Sequence, residues 1–185
     1  MKYIFVLLIL SVTSCNFSEQ TELITIGSKE TEYIEIKDFP DNLKAKNIIL
    51  AIGDGVGPNQ ITLSRIAIGG LDHRLFIDQI PYLGTSLTHS YNNAYTDSAA
   101  AATAWSTGYK TKNRYLSLNP DKKILETIVE MLQKKGYTSG IVATSSVTHA
   151  TPAALYAHID NRYEYKNIAN QLINSSIDIA LGGCL

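Results

Sequence analysis

Short apolar runs alternating with helix-patterned segments predict an α/β fold, a mostly parallel sheet layered with helices. Three observations carry that prediction. Asn47–Ile52 reads Asn-Ile-Ile-Leu-Ala-Ile, a continuous run cut off by Gly53-Asp54-Gly55; without polar alternation, it suits a strand covered on both faces. Ser98–Ser106 is rich in alanine, the strongest helix former. Ile124, Leu125, Ile128, Val129 and Leu132 make a helical stripe, followed after Gly136 by a second apolar run at Gly140–Ala143.

In chain order, the first strand at 47–52 precedes a helix over Ile61–Ile68. Leu83–Thr88 is the next candidate strand, and Ser98–Ser106 the next helix. The stripe from Ile124 to Leu132 ends at Gly136, a residue that closes helices in the left-handed conformation. Gly140–Ala143 is then a strand, Ala153–His158 a short helix and Ile168–Ile173 another helix. Ile177–Leu181 is a last strand before Gly182-Gly183. In such sheets ligands bind beyond the carboxyl ends of the strands. Asp54, just past the first run, stands where a site belongs.

Three segments organise the chain: residues 1–15, 16–44 and 45–185. Met1-Lys2 and the unbroken apolar run Tyr3–Leu10 lead through Val12-Thr13-Ser14 to Cys15. The run is too short for a mature membrane-spanning helix. It resembles a bacterial lipoprotein signal, cut before Cys15 and acylated there. A plain secretory signal and a chance apolar start are the other readings. The first two imply export, to the periplasm or cell surface, and the lipoprotein reading adds a membrane anchor. Residues 16–44 are rich in Ser, Thr, Glu and Lys and read as a polar tether, with a short strand at Tyr33–Ile36. The only other cysteine is Cys184, so with Cys15 acylated no internal disulfide and no cysteine-based metal site can form. The balance of 16 basic and 17 acidic side chains gives no electrostatic basis for nucleic-acid binding.

Ser98 carries the most chemistry. A serine opening an Ala-rich helix sits among N–H groups that lack intrahelical partners, where the dipole favours an anion. The plainer reading makes Asp97 or Ser98 an N-cap. Asp54 on its glycine-flanked turn is a hard-oxygen ligand or simply a turn residue. Arg162 has the paired donors that grip phosphate oxygens, or is a surface arginine near Asp160 and Glu164. His158, on a short apolar helix, reads as structural.

Asp97-Ser98-Ala99-Ala100-Ala101-Ala102-Thr103-Ala104-Trp105-Ser106-Thr107-Gly108 resembles the nucleophile motif of the alkaline phosphatase family. Lys46–Gly57 is similar to that family's first strand and metal-binding loop. Thr148-His149-Ala150-Thr151-Pro152-Ala153-Ala154, with Tyr156-Ala157-His158 and Asn161-Arg162, resembles its third motif. The resemblance covers nearly everything from Lys46 to Gly183. It implies a three-layer α/β/α sandwich and hydrolysis of phosphate monoesters at alkaline pH through a phosphoserine on Ser98. By the same resemblance Asp54 bridges a zinc ion and the magnesium site, Ser98 meets zinc, Thr151 is a hydroxyl ligand of magnesium, and Asp97 orients Arg162. Position 149 varies between Asp and His in the family, so His149 marks a third-metal site of open identity. His73 and His89 match no family ligand.

Two zinc ions and one magnesium are thus implied, with most zinc ligands beyond the last residue. The chain therefore reads as a truncated, N-terminal fragment of a catalytic domain, inactive by itself. The resemblance also implies phosphate monoester substrates of broad range, and homodimers as a frequent assembly. Three other readings stand beside it. They are a surface-anchored remnant without catalysis, a related phosphodiesterase or sulfatase, and a serine hydrolase, whose Gly-x-Ser-x-Gly elbow is absent here.

Overall fold

The computed structural model describes residues 27–35 and 44–183. The signal and Cys15, most of the tether and Cys184 lie outside the described residues. Two compact units divide the chain.

One unit takes in residues 27–35 and Pro58–Ile80. Its helix α1 spans Pro58–Gly69, as the sequence predicts, and opens on a proline, whose fixed φ and missing N–H suit a first helical position. A 3₁₀ turn follows at Phe76–Gln79. The fork of Arg65 grips Asp78, with Nε to Oδ2 at 3.0 Å and Nη2 to Oδ1 at 2.7 Å. Tyr33–Ile36 was expected to be a strand. Its described part, residues 33–35, forms none; the Ile34 N–H instead donates to Gln79 Oε1 at 3.0 Å.

The other unit contains residues 44–57 and 81–183 among those described. It holds helices α2 (Ser98–Thr107), α3 (Ile128–Gln133), α4 (Ala150–Ala153) and α5 (Tyr165–Ile173). Strands β1 (Gly140–Ala143) and β2 (Ile179–Gly182) pair in parallel, Gly140 opposite Ile179 and Ala143 opposite Gly182. A parallel pair needs a crossover between its strands, and α4 and α5 lie in that crossover. The α/β class predicted from the sequence is present.

Small side chains hold this unit together. Ala99 and Ala102 of α2 are buried with Ala150 and Ala153 of α4 and with Ala154 and Ala157 just beyond it. Without bulky side chains the two helices pack closely, and Leu116, Ile141, Tyr156 and Ile168 complete the core. Two buried hydroxyls share a partner: Ser106 and Ser117 Oγ both donate to the Ala154 carbonyl, at 2.9 and 2.7 Å. Helix α2 ends at Gly108, whose φ of 81° is the left-handed conformation that a glycine adopts without strain.

Two further predicted strands are corrected. Residues 47–52 and 83–88 form no ladder, and Ile49 and Leu83 are 94% and 93% exposed. An apolar run records a tendency to be buried but does not supply the hydrogen-bonding neighbours that make a strand. Leu50 and Ile52 instead face β1 across a cleft of about 320 Å³, also lined by Ile141 and Val142.

Helix boundaries shift too. Helix α3 begins at Ile128, because Thr127 and Glu130 form a capping box: Thr127 Oγ1 accepts from the Glu130 N–H at 3.2 Å, and Glu130 Oε2 from the Thr127 N–H at 2.7 Å. Ile124 forms an antiparallel bridge with Leu118 outside the helix. Helix α4 starts at Ala150, earlier than the expected 153–158, with His149 at its N-cap position.

Candidate active site

Asp54 lies in a tight turn closed by the Val56 N–H on the Gly53 carbonyl at 3.2 Å. Gly55 there has a φ of 70°, which suits glycine. The turn presents both oxygens of the Asp54 carboxylate to hydroxyl groups. Ser98 Oγ donates to Oδ1 at 3.1 Å, and Thr151 Oγ1 donates to Oδ2 at 2.7 Å. Three segments far apart in the chain therefore meet at one carboxylate.

Asp97 immediately precedes Ser98 and caps α2, its Oδ1 accepting from the Ala100 N–H at 2.9 Å. The N-cap reading of Asp97 is thus correct, and it does not exhaust the residue. Its other oxygen, Oδ2, accepts from Arg162 Nη1 at 3.3 Å and from the Arg114 N–H at 3.0 Å. Capping satisfies the Ala100 N–H, one of the first-turn groups that have no intrahelical partner.

Arg162 is largely buried, its side chain 13% exposed, so it is not the surface arginine that its acidic neighbours suggested. Nη2 donates to His149 Nε2 at 3.1 Å. A nitrogen that accepts carries no proton, so this contact requires the imidazole to hold its hydrogen on Nδ1. His149 thus bonds the arginine, and it lines the same cleft as Asp54.

All six residues singled out from the sequence are gathered in one place. Asp54, Ser98 and Thr151 form one hydrogen-bonded set; Asp97, Arg162 and His149 form the other, and the Asp97–Ser98 peptide bond joins them. Asn113 and Arg114 were missed. Asn113 Oδ1 accepts from the Asp97 N–H at 3.2 Å, and no composition or spacing marks either residue.

His158 is structural, as the sequence suggests. Its Nδ1 lies 2.9 Å from the Ser117 carbonyl and its Nε2 2.9 Å from Glu130 Oε1. For Glu130, burial is the largest single influence and raises the pKa. The Thr127 N–H and His158 together outweigh it, holding the carboxyl below its ordinary range.

Asp54, Ser98 and Thr151 offer oxygen donors only, the hard set that suits magnesium. No group of three or more His, Cys, Asp or Glu able to hold a metal occurs among the described residues. The nitrogen-rich, four-ligand set that zinc takes is therefore not assembled by them.

A family model described as alkaline phosphatase matches residues 45–184. The chain belongs to the alkaline phosphatase family. Alkaline phosphatase of Escherichia coli (strain K12) is 37% identical over 174 residues, covering 80% of this chain and 37% of that protein. The cold-active alkaline phosphatase of Shewanella sp. aligns with a TM-score of 0.66 at 33% identity, over 71% of this chain and 34% of its own. A histidine-to-aspartate mutant of TAB5 alkaline phosphatase, solved with magnesium bound, aligns at 0.50 and 41% identity, over 50% of this chain and 27% of its own. The aligned part of this chain spans about a third of the length of these alkaline phosphatases.

Proposed function

We propose that the protein hydrolyses phosphate monoesters through a phosphoserine on Ser98, with zinc and magnesium as cofactors. One observation carries this reading: Ser98 Oγ, at the start of α2, is hydrogen-bonded to a carboxylate that also takes Thr151, while the adjacent Asp97 holds Arg162. The residues read as nucleophile, cation ligands and phosphate fork thus lie within one cluster.

In the first step Ser98 Oγ attacks phosphorus, the phosphorus–oxygen bond to the alcohol breaks, and the alcohol leaves with a proton. In the second, water attacks the phosphoserine, returning Ser98 and releasing inorganic phosphate. Before attack, Asp54 Oδ1 holds the serine proton and fixes the direction of Oγ. The two arms of Arg162 bind phosphate oxygens, and the Ser98 and Ala99 N–H groups add to them. Positioning and charge neutralisation of this kind supply most of the catalysis in phosphoryl transfer. Magnesium, held by Asp54 and Thr151, would supply divalent charge beside the phosphoryl group. Because the described residues do not assemble the zinc donor set, no step here runs through zinc.

Acid quenching of the full-length protein with a monoester substrate should trap phosphate on Ser98, read by peptide mass spectrometry. Ser98→Ala should abolish both the trapped phosphate and turnover. Trapped phosphate elsewhere, or turnover by Ser98→Ala, would sink the reading.

We also propose export with a lipid anchor at Cys15, on the apolar run and the small residues before that cysteine, and a homodimer on family grounds. Cys15→Ser should move the protein from the membrane to the soluble fraction, and light scattering reads its mass.

A further inference from the structure

We propose that Asn113 and Arg114 are positioning residues for the phosphate clamp, fixing Asp97 and Arg162 relative to Ser98. This role rests on the reading of Arg162 as the clamp. The Arg114 N–H donates to Asp97 Oδ2 at 3.0 Å, the same oxygen that takes Arg162 Nη1 at 3.3 Å. The Arg114 carbonyl accepts from the Arg162 N–H at 2.9 Å. One residue therefore ties the carboxylate through its N–H and the arginine's main chain through its carbonyl.

Asn113 adds a second tie. Its Oδ1 accepts from the Asp97 N–H at 3.2 Å, its Nδ2 donates to the Tyr95 carbonyl at 3.3 Å, and its own N–H donates to Asn92 Oδ1 at 3.1 Å. The turn that delivers Ser98 and the arginine that faces it hang on adjacent residues. Register between them then depends on two linked peptide units rather than on long side chains alone.

The backbone conformation bears this out. Arg114 has a φ of 75°, in the left-handed region that residues with a side chain adopt only when their surroundings over-determine it. The Arg114 side chain donates no hydrogen bond to Asp97 or Arg162; its guanidinium lies over the Tyr163 ring, 5.8 Å from the centroid, as does that of Arg162. What the site uses is the main chain of Arg114, so glycine should serve there and a β-branched residue should not.

The test is a cycle in the full-length protein, with Arg114→Gly, Arg114→Val, Arg162→Ala and the Val/Ala double variant. Inhibition by inorganic phosphate is measured together with kcat and KM for an aryl phosphate. Arg114→Gly should stay within about twofold, while Arg114→Val should weaken phosphate inhibition about tenfold and raise KM more than it lowers kcat. In the Arg162→Ala background, Arg114→Val should cost little more. An equal cost in both backgrounds makes the effect one of general folding and overturns the positioning role. So does a loss in Arg114→Gly as large as in Arg114→Val. If Arg162→Ala leaves phosphate inhibition unchanged, the clamp reading itself fails and the positioning role falls with it. Should Arg114→Val not fold, Asn113→Ala leaves the left-handed residue in place and is judged in the same cycle.

Discussion

At the scale of single residues, the site is an economy of oxygens around Asp54. Both its carboxylate oxygens accept from hydroxyls, so Ser98 and Thr151 are coupled through one side chain. Thr151→Val preserves shape and removes one donor. Asp54 is exposed, so the lost bond should cost little stability, within about 0.5–1 kcal/mol. If Thr151 holds magnesium as proposed, the same substitution removes an oxygen ligand, and titration with magnesium should show weaker binding. Unchanged magnesium affinity in Thr151→Val would remove Thr151 from the metal site. His149 tells the complementary story. The resemblance reads its position as a metal site, but its imidazole is engaged with Arg162, a pairing that depends on how residues 149 and 162 are brought together after the short helix.

At the scale of elements, α3 shows how a side chain can bind three segments. Glu130 closes the capping box on Thr127 and also reaches His158, while Thr127 Oγ1 donates to the Leu155 carbonyl at 2.8 Å. Because the folded state holds the Glu130 carboxyl below its ordinary pKa, its contribution to stability is complete above that ordinary value, about 4. It is lost as the pH falls through the lower, folded-state value. Thermal unfolding followed from neutral to acid pH should show this loss, and Glu130→Gln should flatten that part of the profile. A Glu130→Gln profile parallel to the original would remove Glu130 as its source. Helices α1, α2 and α5 were legible because propensity, periodicity and caps are local properties. The start of α3 was readable in principle, since Thr127-Ile128-Val129-Glu130 is a capping-box spacing. The stripe running back to Ile124 obscured it.

At the scale of the whole molecule, strands 47–52 and 83–88 failed for a shared reason, beside the short strand expected at Tyr33–Ile36. Apolar character is written in the residues themselves, whereas a strand also needs a neighbour at hydrogen-bonding distance, a relation between distant segments. Of the site, the six motif residues were legible because they lie in contiguous stretches. Asn113 and Arg114 were not, because what matters there is a backbone angle that arginine rarely adopts. The unpaired segments leave Ile48, Ile49, Leu50 and Leu83 exposed, with Val142 and Leu181 on the strands. Exposed apolar surface of this kind binds amphiphiles. The 185-residue chain should therefore enhance the fluorescence of an apolar dye, and Ile49→Lys with Leu83→Lys should reduce that signal while changing unfolding free energy by no more than about 0.5 kcal/mol each. Dye binding unaffected by both substitutions would place the apolar surface elsewhere.

The bond from Thr151 to Asp54 bridges a sequence separation of 97 residues, whereas that from Ser98 to Asp54 bridges 44. Loop closure over such lengths precedes the reward of contact. During synthesis Ser98 and Asp54 can meet well before Thr151 exists, so the first of the two hydroxyl bonds to the carboxylate is available before the second. The Asp54 cluster is complete only once Thr151 of α4 has left the ribosome, and Arg162 follows later still, so the candidate site is a late product of the nascent chain.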